Sequence, residues 1–188
     1  MKFYESGDNR KPVIFLFPGT CCLYSSFDHV LDGLHSYFYT VTVSYDGFDP
    51  NEKTEFYSME DECEKIEQEI RKKYGGRIYL VAKIQSSMVV PFMYKMVHTG
   101  TLPKFMQKKL DKTDGGKKEL YNGFLNMFGI GKGGSPWITK QSIYNQFYSD
   151  LVTKVQHGID VPGTTIHVFY ATKMGEKYEK RYCTYFKN

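Results

Sequence analysis

Val13-Ile14-Phe15-Leu16-Phe17-Pro18-Gly19-Thr20 is the stretch whose pattern decides the fold. Five apolar residues in a row, without polar alternation, mark a strand covered on both faces, as in a parallel sheet lined by helices. Pro18-Gly19 ends the strand. Downstream, Phe27, Val30, Leu31, Leu34 and Phe38 recur at helical spacing. That spacing predicts a helix from about Ser26 to Tyr37, with Ser25 or Ser26 as its cap. Tyr39 to Tyr45, rich in Tyr, Thr and Val, predicts the next strand, and Asp46-Gly47 breaks it. A polar loop runs from Phe48 to Tyr57. Ser58 then reads as an N-cap, with Glu60, Asp61 and Glu62 at the positive end of the helix dipole. Met59, Cys63, Ile66 and Ile70 form the apolar stripe of this helix, which places Cys63 in packing. Lys72-Lys73 suit its C-terminus and Gly75-Gly76 stops it. Ile78-Tyr79-Leu80-Val81-Ala82 reads as the third strand. Upstream, Lys2 to Tyr4 predicts a short edge strand turned by Gly7-Asp8-Asn9. The order β-α-β-α-β predicts an α/β fold whose crossovers are parallel and right-handed.

Composition bounds the function. The chain has 188 residues, enough for one domain with a small lid. With 41% hydrophobic and 16% aromatic residues it can bury a real core, which argues against disorder. A net charge of +4 is too mild to point to nucleic acid. Met1 to Lys11 carries no apolar run of the signal-peptide kind, and no stretch reads as a transmembrane segment, since Lys83, Gln85 and Lys95 interrupt the most apolar window. The cysteines, Cys21, Cys22, Cys63 and Cys183, show no metal-ligand spacing. Reduced thiols in a cytoplasmic protein are the expectation.

Residues 1–90 are expected to form the N-terminal half of the α/β core. Residues 91–158 change character, with helix-like segments at Phe92–His98, Pro103–Leu110, Lys118–Phe128 and Ser142–Val155, joined by Gly- and Lys-rich linkers. They read as a helical cap. Residues 159–188 return to the core as a strand, Thr164 to Ala171, and a basic aromatic helix, Gly175 to Phe186.

This order of elements resembles the α/β-hydrolase family, in particular its lipase- and esterase-like members with a short helical cap. Val13 to Thr20 looks like the family's strand and oxyanion turn, with Pro18-Gly19 where His-Gly is usual. Phe27 to Leu34 is similar to the helix that follows. Tyr39 to Gly47 resembles the next strand and its loop, and Met59 to Ala82 the helix and strand that lead to the nucleophile. Phe169 to Lys177 looks like the strand and loop that carry the triad acid. The resemblance implies a truncated α/β-hydrolase-like fold: a mostly parallel sheet flanked by helices, with a cap. It implies a serine-type hydrolase of small ester or acyl substrates, with no cofactor. The sequence departs from the family at the nucleophile. Gly-x-Ser-x-Gly would follow Ala82, whereas the chain reads Lys83-Ile84-Gln85-Ser86-Ser87-Met88, and no glycine occurs from Arg77 to His98. No histidine follows the acid segment. The alternative is a non-catalytic remnant of the fold, acting as a binding or interaction module. A short sheet with an open edge would then favour a homodimer.

Ser86 and Ser87 are the nearest candidate nucleophiles; the competing reading is a helix cap before Met88, with Pro91 in the first turn. Glu176 is the candidate acid. Thr20 and Cys21 are the candidate oxyanion hole, which requires backbone N–H donors rather than particular side chains. Cys21 or Cys22 as a thiolate nucleophile competes with two half-buried thiols. None of His29, His35, His98, His157 and His167 has a sequence partner that makes it a base, and no ligand set predicts a metal. Gly129 to Gly134 matches G-x-G-x-x-G but lacks the strand before and helix after that a dinucleotide site needs. Lys104, Lys108, Lys109, Lys112, Lys117 and Lys118 form a basic stretch that reads as a solvated helix face, or as a contact for an anionic surface.

Overall fold

A computed structural model of the chain describes residues 1–75, 78–82, 96, 104–115, 119, 137–154 and 180. Among the described residues, four strands form one sheet: β1 (Lys2–Ser6), β2 (Val13–Phe17), β3 (Tyr39–Ser44) and β4 (Ile78–Ala82), in the order β1-β3-β2-β4. β2 is central and pairs parallel with β3, Val13 opposite Tyr39, and with β4, Val13 opposite Ile78. β1 is the antiparallel member, pairing Phe3 with Val43. The architecture is α/β, a mostly parallel sheet with flanking helices.

Ile14, Phe15 and Leu16 are buried in succession, as a strand covered on both faces requires. β3 is buried without break from Thr40 to Ser44, Val41 and Val43 alternating with Thr40, Thr42 and Ser44. Phe15, Val41, Val43, Tyr45, Phe48 and Phe56 lie at the heart of the core. Tyr74, just beyond α2 (Met59–Lys73), meets the Phe15 ring edge-on at 5.2 Å. Ser58 caps α2, its Oγ accepting the Asp61 N–H at 3.2 Å. The acidic first turn and the basic last turn of α2 fall where its dipole favours them.

Two local expectations are corrected. Ser25 and Ser26 do not cap α1 (Asp28–His35). They lie inside a 3-10 turn, Tyr24–Phe27, whose Ser25 carbonyl accepts the Asp28 N–H, so backbone supplies the cap. Cys63 is exposed, and the buried residue of α2 is its neighbour Glu62, at 0% exposure. Met59, Ile66 and Ile70 do pack against the core.

Two further helices are described, α3 (Lys104–Asp111) and α4 (Lys140–Val152). On α3, Lys104 and Lys108 are exposed and Phe105 is 67% exposed, the solvated face expected of that stretch. The chain divides into one compact unit, Met1–Val152, and a second, Thr153–Asn188, of which only residues 153, 154 and 180 are described. Among the described residues, no helix is long and apolar enough to cross a membrane.

Candidate active site

Parallel α/β sheets place their ligand sites at the carboxyl ends of the strands. Two polar constellations lie there, one after β2 and one after β3.

β2 runs through the buried Pro18 and Gly19 into Thr20 and Cys21. The Cys22 N–H returns to the Gly19 carbonyl at 2.9 Å, closing a tight turn. Cys21 sits in the left-handed region at φ 57°, the sole non-glycine residue to do so among the described residues. This backbone sends the Cys21 N–H to Gln146 Oε1, 2.6 Å away across a separation of 125 residues. One turn further along α4, Asp150 Oδ2 accepts the Thr20 hydroxyl at 2.6 Å. Burial raises the Asp150 carboxyl above its ordinary range, against the opposing bond from Thr20. The Cys21 thiol is also pushed up, first by burial and then by Asp150 and Cys22 beside it. It is therefore held protonated, unlike the thiolate a nucleophile needs.

The same face of α4 binds the loop ahead of α2. Ser142 Oγ accepts the Phe56 N–H at 3.1 Å, and Asn145 Nδ2 donates to the Phe56 carbonyl at 2.8 Å. Ser149 Oγ accepts the Met59 N–H at 3.3 Å. Positions 142, 145, 146, 149 and 150 follow helical spacing, so one polar stripe serves the backbone of two loops and the Thr20 hydroxyl. Sequence reasoning found the helix and missed this stripe, because no apolar periodicity announces it.

After β3, Asp46 Oδ2 pairs with Lys65 Nζ at 2.6 Å and Oδ1 with the Met1 ammonium. Burial pulls the Asp46 carboxyl upward, but Lys65 and the ammonium outweigh it and the net shift is downward. Glu62 Oε2 accepts the Asp46 N–H at 3.2 Å. Its carboxyl is pushed up to about 7, chiefly by burial and further by the Asp46 charge. The carboxylate oxygens of Asp46, Asp61 and Glu62 lie within 4.8 Å of one another, as cation ligands would. Lys65 bonds all three, so a side-chain ammonium already supplies the positive charge. A cleft of about 760 Å³ opens beside this cluster, walled in part by Asp46, Thr54, Tyr57, Trp137 and Thr139.

His35 does find a serine. Its Nε2 lies 2.9 Å from Ser6 Oγ and 3.1 Å from Thr40 Oγ1, and Thr40 Oγ1 donates to the Ser6 carbonyl at 3.2 Å. The trio joins the end of β1, the end of α1 and the start of β3, at the opposite rim of the sheet from Cys21. His29 lies exposed on α1. Ser86, Ser87, Glu176, His98, His157, His167 and the 129–134 glycine loop lie outside the described residues.

An α/β hydrolase family protein from Desulfitobacterium hafniense is similar over 79% of this chain and 71% of its own, at 11% identity and TM-score 0.47. The 1H-3-hydroxy-4-oxoquinoline 2,4-dioxygenase is similar over 79% and 66%, at 15% and 0.48. The enol-lactonase from Burkholderia xenovorans is similar over 80% and 69%, at 12% and 0.42. No family model matches the sequence, and no curated protein matches it.

Proposed function

We propose that this chain is a serine-type hydrolase of α/β-hydrolase ancestry that binds esters or other small acyl compounds at the turn after β2. The observation that carries the reading is the Cys21 N–H, whose partner is already the carbonyl oxygen of an amide, on Gln146. A backbone donor fixed by a left-handed residue at the carboxyl end of a parallel strand is the part an acyl site needs for its oxygen. Thr20 is the neighbouring half of that turn. Ser86 or Ser87, after β4, is the proposed nucleophile and Glu176 the proposed acid, by their places in the resemblance.

A second reading, a non-catalytic acyl-binding module, is favoured by the same contact. The donor is filled from within the chain, and the sequence after Ala82 has no Gly-x-Ser-x-Gly. A fluorophosphonate probe with peptide mass spectrometry separates the two. An adduct on Ser86 or Ser87 supports hydrolysis. Folded protein that takes up no probe, and turns over no p-nitrophenyl ester above a heat-killed control, removes it.

A further inference from the structure

We propose that Gln146 gates the turn after β2, its side-chain carbonyl holding the Cys21 N–H until an acyl ligand displaces it. This rests on the reading of that turn as the acyl site. A buried N–H without a partner is costly, so a donor awaiting a ligand needs an acceptor in the meantime. Gln146 supplies one that is chemically a substrate mimic, an sp² carbonyl oxygen flanked by an amide nitrogen. It is 1% exposed, so water does not compete at that position.

The rest of α4 makes the arrangement a gate on one side chain. Asp150 remains tied to the Thr20 hydroxyl, and Ser142, Asn145 and Ser149 remain tied to the backbone of Phe56 and Met59. Five polar contacts fix the helix, and an acyl oxygen competes with one of them. Displacement therefore falls on rotation of the Gln146 side chain. The ligand class follows: a compound with an unhindered ester or amide carbonyl, able to replace like with like. Its apparent affinity is reduced by the fraction of molecules in which Gln146 has let go. A net hydrogen bond of ordinary strength sets that penalty at about three- to tenfold.

The test compares wild type with Gln146→Leu, which keeps bulk and loses the acceptor; Gln146→Met replaces it if the leucine variant does not fold. The Cys21 amide signal is followed by nuclear magnetic resonance during titration with butyramide. The expected result is a response at about three- to tenfold lower butyramide concentration in the variant. An unchanged concentration, or no response of the Cys21 amide in any protein, overturns the gate. Rapid hydrogen exchange of the Cys21 amide in wild type also overturns it, since the contact is then not formed. Turnover of p-nitrophenyl butyrate is measured on the same samples. Tighter butyramide binding without turnover keeps the gate and removes the hydrolase. Turnover with unchanged butyramide response keeps the hydrolase and removes the gate.

Discussion

Gly47 is a position where the fold leaves no room for a side chain, and Gly47→Ala measures how firmly α4 is seated. Gly47 follows Asp46 at φ +77°, in the left-handed region that costs a Cβ-bearing residue about 1–2 kcal/mol. A Cβ there would lie 2.2 Å from Ser142 Oγ, 2.7 Å from Ser142 Cβ and 3.0 Å from the Phe56 nitrogen. Ser142 cannot step aside cheaply. It is 0% exposed, its Oγ accepts the Phe56 N–H at 3.1 Å, and it sits 3.0 Å from Thr139 Oγ1. Overpacking of this kind costs about 1–3 kcal/mol. The two contributions give an expected loss of about 3–5 kcal/mol, a large share of a small domain's stability. Urea unfolding of the folded variant reads it as a lower midpoint at unchanged slope. Gly33→Ala is the control of opposite sign. Gly33 lies inside α1 with nothing within 4 Å of its added Cβ, so alanine is expected to stabilise by about 0.5–1 kcal/mol. Ser142→Gly removes two of the three close approaches but also the acceptor of the Phe56 N–H, so the double variant is expected to lose less than the sum of the two single losses. A loss below about 1 kcal/mol for Gly47→Ala would refute the reasoning, for α4 would then not be pressed against this turn.

The other predictions concern charge, capping and the sheet edge. The folded Glu62 carboxyl stands at about 7 against an ordinary 4.5, so the stability it contributes is full below the lower value and lost as pH rises through the upper one. Glu62→Gln keeps an acceptor for the Asp46 N–H and is expected to remove that decline, a difference of about 3 kcal/mol at pH 8; an identical pH slope in both proteins defeats it. Ser58→Ala deletes the acceptor for the Asp61 N–H and is expected to cost about 1 kcal/mol by thermal melting. Among the described residues β4 is an outer strand, with Tyr79 43% and Leu80 60% exposed, and the proposed homodimer would form through it; a strictly monomeric sedimentation profile at high concentration would remove that proposal.

The strands and α2 were legible because their causes are local. A run such as Val13–Phe17 declares burial on both faces. Ser58 with three acids after it declares a helix start wherever the helix later docks. The errors came where partner choice is tertiary. Stripe counting on α2 favours Cys63 over Glu62, yet Glu62 goes inside because the Asp46 N–H and Lys65 wait there to meet it. Ser25 and Ser26 are good caps in isolation, and a 3-10 turn made them unnecessary.

α4 is the extreme case of the same cause. Its inward face holds Ser142, Gln146 and Ser149 beside Ile143 and Phe147, so hydrophobic patterning alone cannot say which way it points. Those polar residues are affordable inside only because loops elsewhere in the chain leave backbone groups unsatisfied: Phe56, Met59 and Cys21. Need and supply are separated by 86 to 125 residues, beyond the reach of any local rule. The Cys21 turn ties this pairing to the proposed function. A left-handed residue in the turn after a central strand creates a fixed, buried donor, and such a donor is stable only with an acceptor. An intramolecular acceptor strong enough to stabilise the free chain is also one that a ligand must outcompete. On the proposed reading, acyl affinity and resting stability at this turn are set by the same bond, and a change at Gln146 that improves one is expected to weaken the other.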